Sequence, residues 1–367
     1  MFDIQKAKEN SNFRELKHSK TSSKFIEFNG KKLLNLGSND YLGIATNKDL
    51  RDEFLDICKQ NDWFFGSGAS RLVYTSSYEF DALEAWFEEK LDKKATIFNS
   101  GYCANLSCIS ALSDKNTLFL CDKLIHASMI DALKLANANF KRYAHNDLET
   151  LTNLLSQNAN KFEKIVILSE SVFSMDGDNC DLQGLVNLKK KYTNVLLYID
   201  EAHSFFVRHE LGFCHALGLS KEVDFTLVTL GKGIGSQGAV MLCSAMFRDI
   251  FINSARSLIY STSLPSINVA WSHFILNKNF SQERQNLEKN IKFLGLNNSH
   301  ICAFLVGSSG AALSLSQKLF DNGYFAPAIR PPTVPNGTSR LRISLRGDIL
   351  ERDLVKLKEI LDENRVC

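Results

Sequence analysis

Lys232, Asp200, His126 and His203 are residues whose types and spacing can do chemistry together. Each stands at or just past the end of a short apolar run. TLFLCD (117–122) leads to Asp122 and His126, VLLYIDEAH (195–203) closes on Asp200-Glu201-Ala202-His203, and FTLVTLGK (225–232) closes on Gly231-Lys232-Gly233. Read as strands of one sheet, these runs bring a lysine, an acid and two histidines to its carboxyl edge, where open α/β sheets bind ligands. The set suits pyridoxal phosphate. That cofactor needs a lysine amine for a Schiff base, and an acid facing the pyridine nitrogen keeps it protonated and makes the ring an electron sink. Its phosphate needs an anion site, and Ser100-Gly101-Tyr102, which follows the run ATIFNS (95–100) and opens a helix, offers backbone N–H groups. Two glycines flank Lys232 and permit a tight backbone. Asp200 ends a nearly all-apolar strand, so its buried carboxylate wants a cationic partner such as a pyridinium.

Taken singly, these residues say little. A lone Gly-Lys-Gly is more often a turn than a cofactor lysine, by ~20 to 1. A strand-terminal Asp-Glu is a plain helix cap at even odds. His126 alone is an ordinary polar residue, and Ser174-Met175-Asp176-Gly177 alone is a turn. The joint placement on one edge carries the reading. GIGSQG (233–238) matches G-x-G-x-x-G, but an apolar strand follows it where a dinucleotide site requires a helix. Gly231-Lys232-Gly233 likewise lacks the Ser/Thr and glycine spacing of a P-loop, so both nucleotide readings are rejected.

The elements that must position these residues follow from periodicity. Seven apolar or β-branched runs lie between residues 95 and 244, adding ANFKRYAH (138–145), KIVILSES (164–171) and GAVMLCS (238–244) to the four above. MIDALKLA (129–136), DLETLTNLLSQN (147–158) and DLQGLVNLKKKY (181–192) carry helical spacing between them. This alternation predicts an α/β fold: a large domain with a mainly parallel seven-stranded sheet, helices on both faces, and one antiparallel strand. The antiparallel step falls between 225–232 and 238–244, whose five-residue connection is too short for a crossover helix. Beyond about residue 246, longer helices and two or three strands predict a smaller α+β domain. The expected organisation is an N-terminal segment 1–45, a large domain 46–245 and a small domain 246–367.

Bulk properties agree. The 367 residues exceed what one simple core holds. A balance of 43 basic against 41 acidic residues removes the electrostatic case for nucleic acid. No apolar stretch approaches a membrane span, and the charged first twenty residues do not resemble a signal peptide. Nine scattered cysteines, several in apolar runs, predict free thiols in a reducing compartment, hence a cytoplasmic protein. Cys103 and Cys108 have no partners at ligand spacing, so no metal site is expected.

LGSNDYLG (36–43), FGSGASR (65–71), NSGYCAN (99–105), DKLIHASMIDAL (122–133), AHNDL (144–148), SESVFSMDGD (169–178), IDEAH (199–203), TLGKGIGSQG (229–238) and IYSTSLP (259–265) together resemble the α-oxoamine synthases. These are fold-type-I pyridoxal-phosphate enzymes that join an amino acid to an acyl-CoA with loss of carbon dioxide. The resemblance runs from about residue 14 to 346. It implies that Lys232 is the Schiff-base lysine and proton shuttle, that Asp200 faces the pyridinium, and that His203 lies near the phenolic oxygen. It sets His126 on the ring face, from where the imidazole can donate to the developing acyl oxygen. Gly101, Tyr102, Ser174 and Thr229 fall at cofactor-contacting positions, and Thr262 at one reaching the phosphate of a neighbouring subunit in a homodimer. Arg14, Asn39, Arg330, Thr333 and Arg342 match substrate-binding positions, with Arg342 holding a carboxylate.

AIRPPTVPNGTSRLRISL (328–345) is most similar to the family member that condenses L-alanine with a pimeloyl thioester, on CoA or acyl carrier protein, in biotin synthesis. The nearest alternative is the member using glycine and acetyl-CoA. An aminotransferase or lyase on the same fold and a non-enzymatic scaffold fit less well. The sequence departs from the family at Ser204-Phe205-Phe206-Val207 and Leu211-Gly212-Phe213, and at Ala69 and Arg71. A rearranged loop is expected at 204–213, and both regions fall near where the resemblance would route the acyl chain or CoA.

Overall fold

Near-continuous burial along most of the apolar runs marks strands covered on both faces, and backbone pairing fixes their order. In the computed structural model, which describes residues 4–9, 13, 15–16, 18–74 and 76–365, the strands are β1 (Lys94–Phe98), β2 (Thr117–Asp122), β3 (Asn139–Tyr143), β4 (Lys164–Glu170), β5 (Val195–Asp200), β6 (Phe225–Thr229) and β7 (Ala239–Cys243). They form a seven-stranded sheet in the order β1-β7-β6-β5-β4-β2-β3. Strand β7 runs antiparallel to both of its neighbours. The remaining pairs are parallel. The antiparallel step falls where the short connection demanded it.

Successive residues of a strand serve opposite cores, as the two-residue period requires. Phe119, Cys121, Val166 and Leu168 pack in one apolar cluster, whereas Leu118, Leu120, Ile165 and Ile167 pack in the other. Helices close both faces. Ser100 caps α1 (Gly101–Leu112) by accepting from the Cys103 N–H, and His126 caps α2 (Ala127–Leu135) through its ring. Asp147 and Asp181 cap Leu148–Asn158 and Leu182–Lys189 by accepting a backbone N–H, which is why those two periodic segments begin with aspartate.

The chain divides into two compact units. The larger comprises Asp49–Phe173 and Asn179–Asn279. It therefore continues past the boundary expected at 245, and the physical reason is packing. Phe251, Ala255 and Leu258 of the helices Ala245–Ser254 and Arg256–Tyr260 join the same apolar cluster as α1. The smaller unit gathers the described residues up to Lys48, Ser174–Asp178, and those from Phe280 onward. Its strands Ile301–Gly307, Ser339–Ser344 and Ala328–Ile329 form an antiparallel sheet. A second sheet joins Lys20–Ser22, Phe25–Phe28 and Lys31–Asn35 to Tyr324–Phe325, so the N-terminal strands belong with the C-terminal elements. Gly177 is obligatory in the Ser174–Asp178 excursion: its φ is +76°, and a Cβ there would stand 1.9 Å from the Ile301 carbonyl oxygen.

Candidate active site

The carboxyl ends of β4 and β5 set two acids side by side, because Glu170 is in register with Asp200. Asp200 is buried. Its Oδ1 accepts the Ala202 N–H at 2.9 Å and its Oδ2 accepts from Asn105 Nδ2 at 2.9 Å. Asn105, one helical turn into α1, donates its second N–H to Ser128 Oγ at 3.0 Å and accepts from the Tyr198 hydroxyl at 2.7 Å. Ser128 Oγ lies 2.8 Å from His126 Nδ1. Past β6, Lys232 Nζ lies 2.8 Å from His203 Nε2. The lysine turn is closed by Gly235 N–H donating to the Lys232 carbonyl and Ser236 N–H to that of Leu230. Of the two flanking glycines only Gly233 is forced by space, since a Cβ there would lie 2.7 Å from the Phe205 carbonyl oxygen. At Gly101 a Cβ would meet the Thr229 methyl at 2.7 Å, so this glycine lets α1 approach the end of β6.

Electrostatics distinguish the acids. Burial, then the neighbouring Asp200 charge, push the Glu170 pKa well above its ordinary value, against the pull of Lys232 and of a hydrogen bond from the His126 backbone N–H. Glu170 therefore holds its proton more tightly than an ordinary glutamate, and its Oε1 has no hydrogen-bond partner among the described residues. Desolvation of the inner edge of the His126 ring lowers its pKa, opposed by Asp200, reinforced by Lys232 and opposed again by Asp131. At the rim, the Tyr102 hydroxyl donates to Asp131, and that bond raises its pKa.

The larger unit thus brings together Lys232, Asp200, His126, His203, Thr229, Gly101 and Tyr102. Thr229 donates to the Ala202 carbonyl at 3.3 Å. Thr262 has an exposed side chain in the same unit, its carbonyl accepting from Asn99 Nδ2 at 2.6 Å. In the smaller unit, buried Arg342 donates through Nε to the Ser174 carbonyl at 2.6 Å, through Nη1 to Ser344 Oγ at 2.7 Å, and through Nη2 to the Tyr41 hydroxyl at 3.3 Å. Tyr41 donates in turn to Asn39 Oδ1 at 3.0 Å, so Ser174, Arg342 and Asn39 form one chain of contacts. Thr333 N–H donates to the Arg330 carbonyl within a turn. Arg14 lies outside the described residues.

Asn105, Ser128, Tyr198, Glu170 and Tyr41 were missed in the sequence. A usable signal existed for two of them: Glu170 ends an apolar strand as Asp200 does, and Asn105 is a polar residue on the buried face of an apolar helix. The departures at 204–213 resolve into packing. Phe205, Phe206 and Val207 are buried, Phe206 at a φ of +63°. Glu201 pins the loop by accepting the Phe213 and Cys214 N–H groups at 3.2 and 2.6 Å. Arg71 pairs with Glu84 at 2.6 Å, and Glu84 also accepts the Ile97 N–H.

The residues present fit pyridoxal phosphate. Asp200 is a buried carboxylate whose hydrogen-bond partners among the described residues are all neutral, leaving lone pairs for a protonated ring nitrogen. Beside it are a lysine amine and a capped helix N-terminus. Sheet order, lysine and acid define a fold-type-I pyridoxal-phosphate-dependent transferase. The family described as aminotransferase class I and II matches residues 31–353. A protein of Glaesserella parasuis serovar 5 (strain SH0165) bearing the name "Putative 8-amino-7-oxononanoate synthase" is 40% identical over 370 residues, 96% of this chain and 97% of its own. One of the same name from Haemophilus influenzae (strain 86-028NP) is 42% identical over 341 residues, 89% of this chain and 90% of its own. Among solved structures, Sphingomonas wittichii serine palmitoyltransferase has a TM-score of 0.87 at 24% identity, covering 98% of this chain and 95% of its own, a likeness of fold. The 8-amino-7-oxononanoate synthase of Francisella tularensis has a TM-score of 0.76 at 27% identity, covering 90% of this chain and 97% of its own. The chain belongs to the class I and II aminotransferase family and, within it, to the α-oxoamine synthases, which are pyridoxal-phosphate-dependent acyltransferases. Among the described residues no helix is long and apolar enough to cross a membrane.

Proposed function

We propose that the chain condenses L-alanine with a pimeloyl thioester, releasing carbon dioxide and forming 8-amino-7-oxononanoate, the step of biotin synthesis for which its relatives are named. The observation that carries this reading is the joint placement of Lys232, Asp200 and His126 on one sheet edge, in a chain about 40% identical to proteins bearing that name. Bound pyridoxal 5′-phosphate supplies an electron sink for the electron pair released at the α-carbon of the amino acid. Lys232 Nζ is the point of covalent attachment and, once displaced by the amino acid, removes the α-proton. Asp200, oriented by Asn105 and the Ala202 N–H, keeps a proton on the ring nitrogen. His126 donates to the thioester oxygen as charge develops there, a contribution made only in the transition state.

Ser100, Gly101 and Tyr102 at the start of α1, together with Thr229, hold the phosphate. His203 serves the phenolic oxygen, and Ser174 is a further cofactor contact. Arg342 holds a substrate carboxylate, with Asn39, Arg330, Thr333 and Arg14 assigned to substrate binding. The working form is a cytoplasmic homodimer in which Thr262 serves the neighbouring subunit's phosphate. Exposed Phe65, Val73 and Tyr74, on a segment tied to 263 by the Ser263 N–H to Ala69 carbonyl bond, support such an interface. The acyl group arrives on CoA or on acyl carrier protein. Purified protein with cofactor, L-alanine and either pimeloyl thioester is expected to release free thiol and 8-amino-7-oxononanoate, identified by mass spectrometry. Faster turnover of glycine with acetyl-CoA overturns the choice of substrates and leaves the reaction class standing.

A further inference from the structure

One side-chain amide, that of Asn105, touches both the acid and the histidine branches of the site. Its Nδ2 faces Asp200 Oδ2 and Ser128 Oγ, and its Oδ1 faces the Tyr198 hydroxyl. An amide NH2 only donates, so Ser128 Oγ accepts from Asn105 and must send its own hydrogen elsewhere. The acceptor within reach is His126 Nδ1 at 2.8 Å. The Ser128 backbone N–H, which also can only donate, points at the same nitrogen at 3.3 Å. A ring nitrogen receiving two donors carries no hydrogen, so the neutral imidazole bears its single proton on Nε2. Asn105, Ser128 and Tyr198 are all buried to within 1% of complete, so water does not compete at their ends of these bonds. The main chain at His126 is held separately, by its N–H on the Glu170 carboxyl.

We propose that Asn105 and Ser128 are positioning residues that fix the His126 imidazole as its Nε2–H tautomer, tying that form to the same amide that orients Asp200. The inference rests on the reading of His126 as the donor to the acyl oxygen, since only the Nε2–H form presents a hydrogen on the ring nitrogen left free by Ser128. It also makes the acid and the donor a single hydrogen-bonded assembly, so that disturbing one is felt by the other.

The test is a long-range 1H–15N correlation spectrum of holoenzyme carrying 15N-histidine, with the His126 signals assigned from their loss in His126→Gln. Wild type and Ser128→Thr are expected to show Nδ1 as an unprotonated acceptor and Nε2 as protonated, and Ser128→Ala to show a mixture of tautomers. Turnover of Ser128→Ala is expected to fall about tenfold in kcat, with KM for L-alanine little changed and with rescue in Ser128→Thr. A proton on Nδ1 in wild type, or an unmixed Nε2–H form in Ser128→Ala, overturns the relay. A mixed tautomer with unchanged kcat upholds the relay and overturns the donor role given to His126.

Discussion

The carboxyl edge of the seven-stranded sheet and the arginine strand Ser339–Ser344 bury charges of opposite sign, and the two regions handle them alike. Asp200 accepts from a backbone N–H and an amide, and Arg342 donates to a carbonyl and two hydroxyls. Neither has an ion-pair partner among the described residues. Their neighbours behave differently. Arg340, two residues before Arg342, pairs with Asp176, and Arg346 pairs with Asp348 at 2.7 Å and Asp40 at 3.6 Å. In the larger unit Glu84 is matched by Arg71. Burying an ion against neutral groups alone is costly, so chains normally match such charges from within. These three charges are matched within the fold, whereas Asp200 and Arg342 are left for the pyridinium and the carboxylate proposed as their partners.

The most severe way to break this picture is Lys232→Ala. Removing the proposed base and attachment point should lower turnover by about 10²–10⁴-fold. In wild type, borohydride reduction followed by peptide mass spectrometry should place the cofactor mass on the peptide containing Lys232, and in the variant on none. Cofactor mass still fixed to the variant chain would remove the lysine from its role. Next in size is Arg342→Gln compared with Arg340→Gln. Loss of a charge-assisted bond to substrate should raise KM for L-alanine about 10–100-fold in the first while leaving the cofactor absorbance unchanged. Arg340→Gln strands Asp176, so it should lower Tm and leave KM near wild type. Equal KM values in the two variants would show that the unmatched charge of Arg342 has nothing to do with substrate.

The seven strands, the single antiparallel one and the gathering of candidate residues at one sheet edge were legible because they obey local rules. Apolar runs of strand length alternate with helical periods, and a sheet's carboxyl edge collects whatever follows each run. The domain boundary at 245 was not legible, since the helices after it are amphipathic in the ordinary way and only the packing of Phe251 and Leu258 assigns them to the larger unit. The relay through Asn105 escaped for a similar reason. Its members come from α1, α2 and β5, and nothing local to any of them records that Asn105 and Tyr198 share a hydrogen bond. The altered loop at 204–213 was recognised as a departure, but its inward packing depends on Glu201 and on Gly212, at a φ of +86°, where a Cβ would stand 1.9 Å from Glu201 Oε2.

Glu170 gives the smallest and most discriminating test, because burial and the neighbouring Asp200 charge both favour its protonated form. Its native pKa lies well above the ordinary 4.5, whereas in the unfolded chain it returns there. Between those two values the native state holds a proton that the unfolded state has released, so wild-type stability falls as pH rises through that window. The slope from this one group is about 1.4 kcal/mol per pH unit until the native carboxyl itself ionises. Glu170→Gln keeps an acceptor for the His126 N–H and abolishes the titration. The Tm of the variant holoenzyme, set against wild type in the same buffers, should therefore gain as pH rises above the ordinary carboxylate range. A gap that stays constant above that range would mean that Glu170 is ionised in the folded protein. Asp200 would then have a second charged carboxylate beside it, and the two would compete for the one proposed pyridinium.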